Sequence, residues 1–112
     1  MLACMLISGC ASVPSQLDGA KRSVDDRFTY SYRVTSPQEE VARGIDGTAN
    51  CTRFSMEYYK SLISHGVQTK RIQEIVCRLP DGTPHRYLVV DGQWVLDNRF
   101  SGVMPVEFQD CR

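Results

Sequence analysis

Several features that often reveal a function are scarce or missing in these 112 residues. Thirteen Lys and Arg balance thirteen Asp and Glu, and no basic cluster exceeds two neighbouring residues. The chain therefore lacks the basic surface that nucleic-acid binding requires. Only two histidines occur, and neither C-x-x-C nor H-x-x-x-H spacing is present, which argues against a zinc site. We expect no metal cofactor and no nucleic-acid partner.

A long hydrophobic run is also missing. The apolar stretch at residues 1–10 is too short to span a bilayer, which takes about 20 residues. An apolar run that ends in small residues is typical of a secretion signal, although no Lys or Arg precedes this one. Its end, LISGC, resembles a bacterial lipobox, in which the cysteine is lipidated. The resemblance implies a signal peptide at 1–9 and a lipid on Cys10, and so a periplasmic protein attached to a bacterial membrane. The polar, small residues that follow predict a tether over 10–24, ahead of a domain at 25–112 that we expect to be monomeric.

Cysteine is used sparingly in the remaining chain. Removal of the signal and lipidation of Cys10 leave Cys51, Cys77 and Cys111 in an oxidising compartment, so at least one thiol stays unpaired within the chain. Cys77 lies in a strand-like run and Cys111 lies next to the C-terminal residue of this sequence. A disulfide between them would attach the tail to the sheet, and Cys51 would remain as the free thiol.

The hydrophobic pattern predicts an α+β fold with one helix on an antiparallel sheet. Alternation predicts a strand at 28–34, and a capping-box spacing predicts a short helix over 36–43. A broad apolar face predicts a helix from Cys51 to His65, with Gly66 as its C-terminal glycine. Further strands are expected at 70–79 and in a hairpin over 85–98 with Asp-Gly at its turn.

Three residues of the predicted elements make a chemically coherent set. Cys51 starts the helix, His85 opens the first hairpin strand, and Asp97 ends the second. A thiol at a helix N-terminus has a lowered pKa, because the helix dipole favours the thiolate. The imidazole could then take and return a proton while the carboxylate fixes its tautomer. His65, at the other end of the helix, is interpreted as structural.

The register of the hairpin decides which side chain can orient His85. A two-residue turn would pair His85 with Asn98 and send Asp97 to the opposite face of the sheet. A three-residue loop or a bulge at 91–93 would place Asp97 opposite Tyr87, on the face of His85. We therefore predict the longer loop, with Asn98 as the alternative third residue.

An oxyanion formed during acyl transfer needs two hydrogen-bond donors. The backbone N–H of Cys51 is a natural first donor, and the second is unassigned. Asn50 carries an amide beside the cysteine, but its position also suits a helix cap.

The cysteine at the helix start, the His-x-x-x-x-Val strand and the stretch WVLDN resemble the bacterial transglutaminase-like cysteine proteinases. The similarity extends over about residues 45–100. It implies a papain-related α+β fold, with Cys51 as nucleophile, His85 as general base and Asp97 as orienting acid. Members usually carry an acidic residue two positions after the cysteine, where this chain has Arg53. The best-known periplasmic branch clips large adhesins from the cell surface, and calcium dependence occurs in the family.

The sequence therefore predicts a cysteine peptidase that cleaves a peptide bond in a protein substrate through an acyl-enzyme. The alternative is a non-enzymatic lipoprotein that uses the same fold to bind a peptide or assemble with a partner. The two hypotheses differ in thiol chemistry, since only an enzyme needs an accessible Cys51 of low pKa paired with His85.

Overall fold

The structure is a computed structural model that describes residues 12–30 and 48–112, and the side chains of residues 48 and 49 are not part of that description. The predicted signal peptide, Cys10 and the predicted helix at 36–43 lie outside these ranges, as do residues 31–34 of the first predicted strand. None of the helices in the two described ranges is both long and apolar enough to cross a bilayer.

The first helix, α1, spans Ser15–Asp25 and corrects the prediction of a tether at 10–24. Leu17, Ala20 and Val24 recur at helical spacing and are fully buried. The prediction was wrong because the helix is polar on most of its surface, and three apolar residues at helical spacing give only a weak sequence signal. Burial of that stripe against the rest of the domain stabilises α1, as is usual for short helices.

Helix α2 spans Cys51–Ser64, close to the predicted bounds. Its first turn is capped by Asn50, whose side-chain oxygen accepts a hydrogen bond from the N–H of Arg53 at 2.9 Å. At its other end Gly66 has a φ of +87°, the left-handed conformation typical of a helix C-terminus. Two short strands, β1 (Thr29–Tyr30) and β2 (Thr48–Ala49), pair in parallel, and β2 ends just before α2 begins.

The remaining strands form one antiparallel sheet in chain order, and the helices pack on it, so the predicted α+β class is confirmed. The last strand lies at the edge of the sheet, where a proline is tolerated. The strands are β3 (Ile72–Arg78), β4 (Pro84–Val90), β5 (Trp94–Leu96) and β6 (Met104–Pro105).

The hairpin between β4 and β5 has the longer of the two loops considered. Val90 pairs with Trp94, which leaves residues 91–93 as a three-residue loop. Asp91 and Gly92 both have positive φ, a conformation to which Gly and Asp are suited. Leu88 pairs with Leu96, so the next residue of the second strand, Asp97, comes opposite Tyr87.

The sheet buries apolar side chains on both faces. One face joins α1 and α2 in the main core, and the other forms a smaller cluster beside the C-terminal tail. The main core consists of Leu17, Ala20, Val24, Phe54, Tyr58, Leu62, Val67, Leu88, Val90, Trp94, Leu96 and Val103. The second cluster consists of Cys77, Tyr87, Val89 and Val95.

The C-terminal tail is attached to the edge strand β3. Cys77 and Cys111 form a disulfide, and the backbones of Arg78 and Arg112 exchange two hydrogen bonds of 2.6 and 2.8 Å. Closing a loop between cysteines 34 residues apart stabilises the fold by about 4 kcal/mol in the loop-entropy account. The tail is thereby held next to the start of β4, where His85 lies.

Candidate active site

Cys51 is the first residue of α2 and carries the one free thiol in the described ranges. The N–H of Cys51 points out of the helix start and has no carbonyl of its own helix to bond. The Asn50 cap engages the N–H of Arg53 instead. A half-buried thiol therefore lies beside a backbone donor at the positive end of a 14-residue helix.

Three donors surround the sulfur of Cys51. The imidazole of His85, the backbone N–H of Arg86 and the hydroxyl of Thr52 all hydrogen-bond to it. Pairing between β4 and β5 ends at Leu88, so the backbone N–H of Arg86 is available to the thiol rather than to the sheet. The start of β4 thus meets the start of α2.

Asp97 lies on the other side of the imidazole. Its Oδ2 is 2.9 Å from Nε2 of His85, and both side chains are buried, Asp97 completely. Because Nε2 is engaged by the carboxylate, Nδ1 is the nitrogen that remains for the thiol. The structure therefore brings Cys51, His85 and Asp97 together in the order thiol, imidazole, carboxylate.

Two further residues, neither of them predicted from the sequence, donate hydrogen bonds to the carboxylate of Asp97. The backbone N–H of Arg99 donates to Oδ1 of Asp97 at 2.9 Å, and its guanidinium donates Nη2–H to Oδ2 at 3.1 Å. Gln109 donates from Nε2 to the same Oδ2 at 3.1 Å. Asp97 is thus a buried anion with several donors, the condition under which a buried charge is tolerated.

The three groups shift one another's pKa values. Burial raises the pKa of the Cys51 thiol, but the hydrogen bond and charge of His85, together with the donors on Arg86 and Thr52, outweigh it and leave the pKa below its usual value. Burial lowers the pKa of His85, yet Asp97 and Cys51 together raise it to about 9. Burial likewise opposes ionisation of Asp97, and His85 and Arg99 nevertheless hold its pKa at about 2. The lowered pKa of the thiol and the raised pKa of the imidazole both favour the thiolate–imidazolium pair over the neutral pair.

Asn98, the alternative third residue, is not the hydrogen-bond partner of His85, since Asp97 takes that place. Its Oδ1 is buried and has no hydrogen-bond partner in the part of the chain that the structure describes. A cleft of about 320 Å³ opens beside His85, and Asn98 is one of its walls. The other lining residues are Tyr30, Leu79, Thr83, Pro84 and Arg99.

Arg53 replaces the acidic residue expected at this point of the helix. Its side chain is buried, and its guanidinium carbon lies 4.8 Å from the centre of the Phe28 ring. Stacking on an aromatic face offsets the unfavourable position of a cation in the first turn of a helix.

Residues 12–30 and 48–112 contain no group of three or more His, Cys, Asp or Glu side chains that could hold an ion. Cys77 and Cys111 are joined in the disulfide and so do not supply thiolate ligands. The described residues thus provide no calcium site of this kind.

Comparison with known proteins identifies solved structures with a similar fold. No protein-family model matches the chain, and neither does any curated protein sequence. Three solved structures of LapG from Legionella pneumophila do match, one of them calcium-bound and one EGTA-treated, each with a TM-score of 0.67 and 19% identity. The fold is similar to that of LapG. LapG is a bacterial transglutaminase-like cysteine protease.

The alignment covers 88% of this chain and 61% of the calcium-bound LapG chain, so the chain spans about three fifths of LapG. At 19% identity the likeness establishes the shared transglutaminase-like fold. What the chain does must be argued from its own site.

Proposed function

We propose that the protein is a cysteine peptidase in which Cys51 is the nucleophile, His85 the general acid and base, and Asp97 the orienting acid. The observation that carries the proposal is the buried contact of His85 Nε2 with Asp97 at 2.9 Å while the same imidazole hydrogen-bonds to the Cys51 thiol. A cysteine, a histidine and a carboxylate in this order are the parts required for acyl transfer through a thiolate.

In the first half of the reaction the thiolate of Cys51 attacks the carbonyl carbon of a peptide bond. The carbonyl oxygen becomes an oxyanion, and the backbone N–H of Cys51 at the start of α2 is positioned to donate to it. The helix dipole stabilises negative charge at the same place. The tetrahedral intermediate collapses when Nδ1–H of the His85 imidazolium protonates the leaving amine.

The second half releases the acyl group. Neutral His85 takes a proton from water, and the hydroxide attacks the thioester carbon on Cys51. Collapse of this second intermediate breaks the carbon–sulfur bond, releases the new carboxyl group and regenerates the ion pair. Asp97 keeps Nε2–H engaged in both halves, so that Nδ1 faces the reacting atoms throughout.

A protein or peptide substrate would occupy the cleft beside His85. Its walls combine apolar surface from Leu79 and Pro84 with polar groups from Thr83 and Asn98. This combination suits an extended peptide, whose side chains need apolar contact and whose backbone needs donors and acceptors. The similarity of the fold to LapG, a cysteine protease, supports the same choice of substrate class.

Digestion of a diverse peptide library, followed by mass spectrometry, tests the proposal. The wild-type chain should produce new peptide termini, and Cys51→Ala and His85→Ala should abolish them. Ser64→Ala, an exposed change at the far end of α2, is the control that should leave cleavage unchanged. If the wild type and Cys51→Ala give the same products, the peptidase proposal is wrong.

We also propose that the protein is attached to a bacterial membrane on its periplasmic side through a lipid on Cys10. The support is the LISGC sequence at residues 6–10. Metabolic labelling with a palmitate analogue should mark the wild-type protein and leave Cys10→Ser unlabelled. Equal labelling of the two would overturn the anchor.

A further inference from the structure

The C-terminal tail contacts the candidate site at one side chain. Gln109 donates from Nε2 to Oδ2 of Asp97, the same oxygen that accepts the hydrogen bond from His85. It does not line the cleft beside His85. Its contact with the catalytic residues is therefore made through the carboxylate of Asp97.

The orientation of the Gln109 amide is fixed by two donors. Its Oε1 accepts from Nη2 of Arg99 at 2.6 Å and from the backbone N–H of Cys111 at 3.1 Å. With its oxygen occupied in this way, the amide can present only its NH₂ group to Asp97. Gln109 thus holds the carboxylate directly and also holds the guanidinium that binds it.

The disulfide fixes the backbone of this contact. Cys111, which donates to Gln109, is bonded to Cys77 in β3. A continuous path therefore runs from the sheet through the disulfide and Gln109 to the carboxylate of Asp97.

We infer that Gln109 is a positioning residue for the orienting acid Asp97, and that the Cys77–Cys111 disulfide keeps it in place. This inference rests on the proposed roles of Asp97 and His85. Without Gln109, the Nη2 group of Arg99 loses one of its acceptors and moves closer to the carboxylate of Asp97. Asp97 is then drawn from the imidazole, and the imidazolium loses part of its stabilisation.

The test measures the pKa of His85 by NMR titration of the full-length chain. His65 is the only other histidine, so its resonances serve as an internal reference. Gln109→Ala should lower the pKa of His85 by up to about one unit, because the hydrogen bond of the imidazole to the charged Asp97 is weakened and not removed. Phe108→Ala, a truncation of the neighbouring and exposed side chain, is the matched control and should cause no shift.

The disulfide is tested in the same assay with Cys77→Ala/Cys111→Ala. This double variant should shift the pKa of His85 in the same direction as Gln109→Ala. Adding Gln109→Ala to it should produce little further change, because two perturbations of one contact are not additive. Gln109→Ala keeps the disulfide, so its result stands even if the disulfide variant fails to fold.

An unchanged pKa of His85 in Gln109→Ala would overturn the positioning role. Fully additive shifts would overturn the link to the disulfide. Neither readout requires peptide cleavage. A chain that shows the shift but cleaves no peptide would refute the peptidase proposal and leave the contact between Gln109 and Asp97 established.

Discussion

Replacing Asp97 with Asn removes one charge from the site and keeps the shape of the side chain. In the folded protein the pKa of His85 is about 9, against 6.5 without its neighbours, a difference of about 2.5 units or about 3 kcal/mol. Two anions raise this pKa, and Asp97 contributes more than the thiolate of Cys51. Asp97→Asn should therefore lower the pKa of His85 by about 1.5 units, more than half of the total.

The sign of the effect on stability follows from the direction of the shift. Because the pKa of His85 is raised on folding, its contribution to stability is complete below about pH 6.5 and is lost as the pH rises towards 9. In Asp97→Asn this loss should still begin near pH 6.5, because the pKa of the unfolded state is unchanged, but it should end at a lower pH. Urea unfolding between pH 6 and pH 9 should show the difference as a flatter profile for the variant.

Asp91→Asn is the matched control for this prediction. It is the same substitution in the same hairpin, at an exposed residue that pairs with Arg71 and has a φ of 57°, which asparagine also adopts. NMR titration should give Asp91→Asn the wild-type pKa for His85. An Asp97→Asn variant that also keeps the wild-type value would refute the assignment of Asp97 as the partner of the imidazole.

Three further predictions concern stability and are read from equilibrium unfolding. Asn50→Ala should cost about 1 kcal/mol, because the N–H of Arg53 loses its cap, and a cost near zero would contradict the capping role. Cys77→Ala/Cys111→Ala should cost about 4 kcal/mol, and an unchanged urea midpoint would show that the tail is held by other contacts. The carboxyl of Asp97 should contribute about 2 kcal/mol to the free energy of unfolding above pH 4. This contribution is lost as the pH falls through about 2, because the pKa of the carboxyl is lowered on folding. An Asp97→Asn variant with the same acid dependence as the wild type would contradict the last of these.

The elements around the site could be predicted because each has a local signal. The Asn-Cys step before an apolar helical face and the glycine at 66 define α2. The hairpin loop at 91–93 followed from a chemical requirement rather than from propensity, because only a three-residue loop places Asp97 on the face of His85. At this loop the Asp-Gly turn signal and the requirements of the site predict the same conformation, which is typical of sequences that specify one structure.

The remainder could not be predicted because its causes are tertiary. Helix α1 carries a narrow apolar stripe, and only burial by the other elements makes it a helix rather than a tether. Gln109 is twelve positions from Asp97, and no spacing rule connects a side chain in a tail with a carboxylate at the end of a strand. Arg99 is closer in sequence, but its role depends on Gln109 and Asp110, to which it also hydrogen-bonds.

The central claim is that Cys51 and His85 form a reactive ion pair, and the rate of Cys51 alkylation by iodoacetamide against pH tests it most directly. The chain without residues 1–10 should be used, because it retains Cys51 as its one free thiol. We predict a rate already high near pH 6, with an inflection well below the value of about 8.5 for a free thiol, and an upward shift in His85→Ala. An ordinary thiol titration that does not respond to His85→Ala would contradict the account.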